Sequence, residues 1–274
     1  MKIIIIGNGF DLNLGLKTSY KDFIESDYFI SLVRENNSLA TYLVDKTKLN
    51  NWVDIEQEIT QYSIQFKEND EFLHVRNDFE ALKTALTNYL KEAQTGKINQ
   101  NSKAFEMIKN ELDTANAIYN FNYTNSVFRV AEMLNISDIE NKHSYVHGSI
   151  ENMDIIFGVE DDAGTLSNHI FFKKAFNPNY GKSDISKYLK DNKDKHDFVV
   201  FGHSLGITDS SYFSDYINSL KFANKQAKLK FYYYGDIGYH EMIKIIDKYT
   251  RNSLTMFKDN TEFIPIDSSE STPE

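Results

Sequence analysis

The segment Met1–Tyr20 reads MKIIIIGNGFDLNLGLKTSY and predicts how the fold begins. Its four consecutive isoleucines, Ile3–Ile6, form a short apolar run of β-branched residues, which is typical of a strand buried on both faces. Gly7-Asn8-Gly9 follows directly and predicts a tight turn where the backbone can approach a ligand. Ser19 and Asp22 have the spacing of a capping box, which predicts a helix start. A strand, a glycine turn and a nearby helix together favour a phosphate-binding cradle.

The glycine turn matches only part of the dinucleotide-binding fingerprint G-x-G-x-x-G. Leu12 stands where the third glycine of that fingerprint would be. No second strand ending in an acidic residue follows about twenty residues later, as the fingerprint also requires. Two interpretations of the turn therefore remain open: a nucleotide-binding turn, or an ordinary turn after a buried strand.

Composition excludes several classes of protein. The chain has 274 residues, a formal net charge of −10 and no cysteine. The acidic balance argues against general nucleic-acid binding, and the lack of cysteine excludes disulfides, thiolate metal sites and cysteine nucleophiles. No metal is predicted as a cofactor. No segment approaches the length of a membrane span, and we expect a cytoplasmic protein.

Helical periodicity dominates from about residue 19 to residue 113, whereas strand signals dominate the rest of the chain. Later strands are predicted at Ala117–Phe121, Ser144–Gly148, Asp154–Gly158, Phe198–Phe201 and Leu229–Tyr234, with helices near Val127–Leu134, Tyr212–Phe222 and Tyr239–Tyr249. The alternation predicts an α/β fold: a Rossmann-like, mainly parallel sheet with a large helical insertion after the first strand. We expect a single domain over residues 1–266 and a disordered tail at residues 267–274.

Ligands of open α/β sheets bind at the carboxyl ends of the strands. This rule selects four groups of residues that directly follow predicted strands and that we expect to surround one cleft. They are Gly7, Asn8, Gly9, Phe10 and Asp11 after the first strand, Asn122 and Thr124 after the second, His147 with Gly148, and Gly202, His203, Ser204 and Asp209 near the end.

Five motifs, in this order, resemble the AbiH family of bacterial phage abortive-infection proteins: GNGFDLNLGLKTSYKDF, WVDIE, FNYTN, VHG and GHSLGITDSSYF. The resemblance runs through almost the whole chain and implies a role in antiviral defence. A more distant similarity is to sirtuin-like domains, which bind NAD on a Rossmann-type fold with a helical insertion. That similarity would match Gly7 and Gly9 to the pyrophosphate loop, and Gly202 with Ser204 to a late G-x-S loop. It would also match Asn122 and His147 to a catalytic asparagine and histidine.

The sequence departs from the sirtuin pattern in three places. Asn122-Tyr123-Thr124 replaces N-x-D and so removes an acid near the ribose. The zinc-binding cysteines are missing, and Asn8 and Phe10-Asp11 stand where sirtuins have small residues. NAD binding is compatible with these departures, whereas deacylation of proteins is not expected.

Three functions are considered. In the first, the protein hydrolyses NAD or a related nucleotide: Asn122 positions the ribose or a water, and His147 acts as a base or stabilises the developing charge. In the second, it is a non-catalytic nucleotide sensor. In the third, Ser204 in the G-x-S-x-G sequence of residues 202–206 is a hydrolase nucleophile, with Asp236 and His240 completing a triad.

Simpler structural roles remain open for the same side chains. Asn122 could be a turn residue that caps a helix, and His147 a structural histidine. Asp11 could accept from a sugar hydroxyl or orient His147, or it could simply be a cap. A small-molecule nucleotide is the expected ligand, and a phage or host protein is the expected trigger. Assembly into a homo-oligomer is left open.

The WVDIE motif leaves one charge unexplained. Trp52 is expected in the core, and Glu56 has no basic partner four residues on, where Thr60 stands. Lys173 and Lys174 could meet phosphates, but a pair of lysines is usually on a solvated surface, and that position is expected here.

Overall fold

The computed structural model describes residues 1–49, 55–67, 72–181, 185, 189, 197–206 and 209–269. Trp52 lies outside these residues. The chain folds into two compact units. The sheet unit comprises Met1–Leu16, Lys97–Val146 and Lys182–Glu274, and the helical unit comprises Lys17–Gly96 and His147–Gly181.

Six parallel strands form one open sheet within the described residues of the sheet unit. They are β1 (Lys2–Ile6), β2 (Ala117–Asn120), β3 (His143–Tyr145), β4 (Asp197–Phe201), β5 (Lys228–Tyr233) and β6 (Glu262–Asp267). Their order is β3-β2-β1-β4-β5-β6. This is the strand order of a Rossmann fold, in which ligands bind where the order reverses, between the first and fourth strands. The predicted α/β, Rossmann-like fold is confirmed.

Eleven α-helices are found in the described residues. They are α1 (Asn8–Asn13), α2 (Tyr20–Ile24), α3 (Asp27–Arg34), α4 (Ser38–Leu49), α5 (Ile55–Ser63), α6 (Leu73–Ala93), α7 (Lys103–Glu111), α8 (Ser126–Met133), α9 (Ser210–Leu220), α10 (Gly235–Tyr249) and α11 (Leu254–Asn260).

The isoleucine run lies at the centre of the sheet, since β1 pairs with β2 on one side and β4 on the other. All four isoleucines are fully buried. Ile3 and Ile5 pack in the core that includes Phe213 of α9 and Ile246 of α10, and Ile4 and Ile6 in the core with α1, α7 and α8. Full burial of such a side chain stabilises a fold by about 1.5–3 kcal/mol, so both faces of β1 hold the sheet unit together.

The helical unit contains α2 to α6 and the returning segment His147–Gly181. The predicted capping box is confirmed: the Asp22 amide donates to Ser19 Oγ at 3.0 Å, and the Ser19 amide donates to Asp22 Oδ2 at 3.3 Å. Phe79 of α6 stacks on Phe157 at 5.6 Å between ring centroids and meets Phe172 edge-on at 4.9 Å. The returning segment is therefore part of the core of this unit.

The strand predicted at Asp154–Gly158 is wrong. Its apolar residues Ile155, Ile156 and Phe157 are buried without pairing to another strand, and only Val159 forms an isolated bridge, with Lys173. A short apolar run indicates burial, but it does not distinguish a strand from other core segments.

Two α-helices, one strand and two 3-10 helices (Ser167–Phe172 and Lys174–Phe176) lie where none was predicted. Helix α1 begins at Asn8, inside the expected glycine turn, and α11 and β6 follow the last predicted helix. The predicted insertion also included α7, which packs on the sheet through Phe105 and Ile108. The expected tail begins in ordered structure, because Asp267 ends β6 and the Ser268 amide donates to Tyr233 O at 2.7 Å.

Candidate functional site

The loops after β1 and β4 are hydrogen-bonded to each other through their main chains. The Gly7 amide donates to Phe201 O and the Gly9 amide to Gly202 O, both at 2.9 Å, while the Phe10 amide donates to Gly7 O at 2.9 Å. The amides of Gly7 and Gly9 were predicted to hold a diphosphate. In this arrangement both are already used inside the protein, so any ligand contact of these residues involves other atoms.

Asn122 is held at the end of β2, directly beside the turn that follows β1. Its side-chain Nδ2 donates to Gly7 O at 3.1 Å, and its amide donates to Asn120 Oδ1 at 2.9 Å. Only 6% of the residue is exposed. The predicted neighbours Gly7 and Asn122 are thus in direct contact.

A buried carboxylate lies at the centre of this arrangement. Asp11 of α1 is fully buried and accepts hydrogen bonds from Thr124 Oγ1 and Ser126 Oγ, each at 2.5 Å. Burial raises the pKa of Asp11 to about 6, although hydrogen bonds from Ser126, Thr124 and Asn122, and the charge of Arg129, act in the opposite direction. The carboxylate therefore joins α1 to the loop between β2 and α8.

The loop after β4 is shaped by a histidine. The Leu205 amide donates to His203 Nδ1 at 2.9 Å, so in the neutral ring the proton is on Nε2, which lies 3.4 Å from Asp209 Oδ2. The His203 ring packs against Phe121, with 4.3 Å between ring centroids. From α10, the Tyr249 hydroxyl donates to Leu205 O at 2.6 Å. Burial and the charge of Asp209 raise the pKa of Tyr249 to about 12, so its hydroxyl keeps its proton at neutral pH.

The geometry does not support a hydrolase elbow at Ser204. An elbow places the serine at a sharp turn that leads straight into a helix. Here the residues with positive φ are Gly202 and Leu205, and α9 begins only at Ser210. Ser204 Oγ accepts from the Gly206 amide at 3.1 Å and, among the described residues, is not bonded to a histidine. Asp236 and His240 are exposed on the first turns of α10.

His147 begins the second segment of the helical unit. The residue is 5% exposed, and its carbonyl oxygen accepts from the Ile156 amide at 2.7 Å. Gly148 has φ +73°, and a Cβ there would lie 2.3 Å from Asp154 O. The predicted meeting of His147 with Asn122 stays a prediction.

An ion cluster in the helical unit supplies the missing partner of Glu56. Lys174, only 2% exposed, lies 3.3 Å from Glu56 Oε2 and 3.2 Å from Glu160 Oε1. Tyr180 also donates to Glu160 Oε2 at 2.9 Å. The expectation of a solvated surface is thus wrong for Lys174, because its charge is paired inside the unit.

A cavity of about 110 Å³ lies at the amino ends of the strands, on the opposite side of the sheet unit from the candidate site. Lys2 Nζ there donates to Glu111 Oε2 at 2.6 Å, and Lys230 pairs with the other oxygen of the same carboxylate. Burial raises the pKa of Glu111, but the two lysines lower it more, so it lies below its usual value. This cluster contains the amino ends of strands, which the strand-end rule does not select.

A family model described as "Bacteriophage abortive infection AbiH" matches residues 3–233, which is most of the chain. The chain belongs to the AbiH family. Its role is therefore in bacterial abortive infection, a defence against phage. A search of curated proteins found no match. None of the helices in the described part of this AbiH protein is long and apolar enough to cross a membrane.

Within the sheet unit of this AbiH protein, the structure brings together most of the predicted site residues. Contacts join the groups after β1, β2 and β4, including Gly7, Asp11, Asn122, Thr124 and Gly202. Asn8 lies at the start of α1 and is exposed, and Phe10 packs in the core against Phe201. Phe10 is thus a core residue in this arrangement, not a ligand contact.

Sequence reasoning missed three residues of the candidate site. They are Asn120, whose Oδ1 accepts from the Asn122 amide, Ser126, which donates to Asp11, and Tyr249, which donates to the loop after β4. Asn120 carried a signal: it is the one polar residue in the otherwise apolar strand Ala117–Phe121. Its Nδ2 is buried and has no partner in the described structure.

Proposed function

We propose that this AbiH protein binds a nucleotide at the carboxyl edge of its sheet and hydrolyses the nicotinamide–ribose bond of NAD or of a close relative. In this reaction water adds to C1′ of the ribose and the bond from C1′ to the nicotinamide nitrogen breaks. The products are free nicotinamide, ADP-ribose and a proton. Loss of a shared cofactor would halt an infected cell, which fits a role in abortive infection.

The position of Asn122 carries the proposal. The residue follows β2, and its side chain is bonded to Gly7 O at the end of β1, next to the point where the strand order reverses. Rossmann-like folds bind ligands at that point. A fixed amide there could position a ribose hydroxyl or the attacking water, and such positioning contributes strongly to rate.

The used amides of Gly7 and Gly9 refine the proposal. Since both donate within the protein, any contact of these two residues with the nucleotide would involve other atoms. Ser204 adds an exposed hydroxyl, whose oxygen accepts from the Gly206 amide at 3.1 Å.

Release of nicotinamide from NAD tests the proposal directly. The assay compares three proteins: wild type, Asn122→Ala and Asn110→Ala. Each is taken from producing cells before and after phage infection and incubated with NAD, and free nicotinamide is then measured by chromatography. Asn110 is an exposed residue of α7 and serves as the matched control. We expect release by wild type and Asn110→Ala, and a loss of about 100-fold or more in Asn122→Ala, since a positioned group typically contributes this much.

Two outcomes would contradict the proposal: no nicotinamide from wild type in either condition, or equal release by Asn122→Ala. The base predicted at His147 is tested in the same assay by His147→Ala. Stabilisation of wild type by NAD without nicotinamide release would favour the alternative, a nucleotide sensor.

A further inference from the structure

The cavity at the amino ends of the strands has a charged wall that the proposed reaction does not use. Lys2 of β1, Asp197 of β4 and Lys228 of β5 are neighbours in the sheet register, so their side chains lie on the same face. Lys230 lies two residues after Lys228 and shares that face. These four residues line the cavity together with Glu111, the last residue of α7. Lysines and carboxylates thus surround one space of about 110 Å³.

Two of the lysines share a single carboxylate. Lys2 Nζ donates to Glu111 Oε2 and to Thr114 Oγ1, both at 2.6 Å, and Lys230 Nζ donates to Glu111 Oε1. The Glu111 side chain is 9% exposed, and those of Lys2 and Lys230 are 19% and 23% exposed. One carboxylate balances only one of the two cations. The inner part of the wall therefore keeps a positive charge, in a chain whose net charge is −10.

The same two lysines keep hydrogen-bond donors for a ligand. An ammonium group has three hydrogens to donate. Within the described residues, Lys2 uses two of them, on Glu111 and Thr114, and Lys230 uses one, on Glu111. The cavity has room for more than a single water, since a water takes about 30 Å³ in the liquid. A ligand that suits this wall carries negative charge and several acceptor oxygens.

We propose that this cavity binds a phosphate group, which belongs either to inorganic phosphate or to a small phosphorylated molecule. Lysine binds phosphate as a compact point charge with rotating donors, and a tetrahedral oxyanion offers acceptors to both ammonium groups at once. Lys228 adds a cation at the more exposed side, where its Nζ lies 2.9 Å from Glu262 Oε1. The site is separate from the proposed reaction, because Asn122 follows the carboxyl end of β2.

Asp197 opposes the bound anion. It is exposed, and it lies between Lys2 and Lys228 in the register of the sheet. Its carboxylate repels a phosphate group in the cavity, so removing that charge should strengthen binding. The site thus has one kind of substitution that should weaken binding and another that should strengthen it.

Binding of inorganic phosphate to the full chain tests the proposal, by calorimetric titration at pH 7.5 and at an ionic strength held constant with chloride. Wild type should bind one phosphate per chain. Lys230→Met should bind about tenfold more weakly or worse, since a hydrogen bond from a charged group is lost. Asp197→Asn should bind more tightly than wild type. The matched control is Lys244→Met, which removes the same charge from an exposed position on α10 of the same unit and should bind as wild type does.

Circular dichroism establishes that each variant is folded. If Lys230→Met is not, Lys228→Met replaces it and should also weaken binding, since its substitution leaves Glu111 paired with Lys2 and Lys230. The proposal is overturned if wild type binds no phosphate, if the cavity lysine variant binds as Lys244→Met does, or if Asp197→Asn binds more weakly than wild type.

A second titration, with glycerol phosphate, distinguishes the two sources of the phosphate group. Tighter binding of glycerol phosphate than of inorganic phosphate assigns the site to a phosphorylated molecule, and weaker binding assigns it to the free ion. Nicotinamide release has no part in either titration, so the phosphate site and the proposed reaction stand or fall separately.

Discussion

The main-chain amide of Gly9 donates a hydrogen bond to the carbonyl oxygen of Gly202, with 2.9 Å between nitrogen and oxygen. The two loops at the central crossing of the sheet are therefore in backbone contact. A Cβ added to Gly9 would lie 2.7 Å from Gly202 Cα, and one added to Gly202 would lie 2.1 Å from the Phe10 nitrogen. The close packing of the two loops requires glycine at both positions, whether or not a ligand binds.

Gly202→Ala is expected to destabilise the protein severely. Gly202 has φ +67°, which costs an alanine about 1–2 kcal/mol, and the collision with the main chain of α1 adds to that cost. The matched control is Gly235→Ala in the same unit, which has φ +59° but open space around the added Cβ. Thermal unfolding should show a far larger loss for Gly202→Ala. Equal losses in the two variants would mean that the close approach of the loops does not contribute to the cost of the Gly202→Ala substitution.

Asp11 gives the free energy of unfolding an unusual dependence on pH. Its folded pKa, about 6, lies above the ordinary value of 3.8, so the folded state binds the proton more tightly than the unfolded state. The resulting stabilisation is complete below about pH 4 and is lost as the pH rises to 6. Relative to Asp11→Asn, wild type should therefore lose about 2 kcal/mol of unfolding free energy between pH 4.5 and pH 7.5, since about 1.5 pH units of this window lie below the folded pKa. Urea unfolding of both proteins at the two pH values measures this difference, and a difference of the opposite sign would contradict the burial argument.

His143 provides a control, because it changes the unfolding free energy with pH in the opposite direction to Asp11. Burial lowers its pKa from 6.5 to about 4, and its Nε2 is buried without a partner in the described structure. The unfolded state binds the proton more tightly here, so the stability associated with a neutral His143 is lost as the pH falls from 6.5 to 4. Relative to His143→Gln, wild type should lose stability on acidification. The contributions of Asp11 and His143 to the pH dependence of the unfolding free energy partly cancel in wild type. Asp11→Asn should therefore reveal the contribution of His143, and His143→Gln that of Asp11.

Local sequence patterns predicted the central strands of the sheet but not the chemistry at their carboxyl ends. The runs Ile3–Ile6 and Phe198–Phe201 predicted central strands because β-branched and aromatic residues without polar neighbours suit burial on both faces. The contact of Asn122 with Gly7 followed from the rule that carboxyl ends of parallel strands meet at one edge. That rule places loops together, but it does not reveal which of their atoms are already bonded.

Two of the errors have a common physical cause, since each depends on contacts between residues far apart in the chain. The Gly9 amide was assigned to a phosphate because its partner, Gly202, lies almost two hundred residues later. Lys174 was assigned to solvent for the same reason, as Glu56 precedes it by more than a hundred residues. Single-sequence patterns report the period of burial and the types of turn, whereas pairing across the fold requires the structure.

The buried ion cluster of the helical unit is expected to stabilise that unit. Lys174→Met should lower the free energy of unfolding by about 3–5 kcal/mol, because it leaves the carboxylates of Glu56 and Glu160 buried without their shared cation. Its neighbour provides the control: Lys173 donates from an exposed position to Asp161 O, and Lys173→Met should cost less than about 1 kcal/mol. The triple variant Glu56→Gln, Glu160→Gln, Lys174→Met should recover most of the loss, since a neutral set of similar size replaces a buried ion cluster at little cost. Urea unfolding at pH 7.5 measures all three variants. If Lys174→Met is no less stable than Lys173→Met, the cluster does not hold the helical unit together.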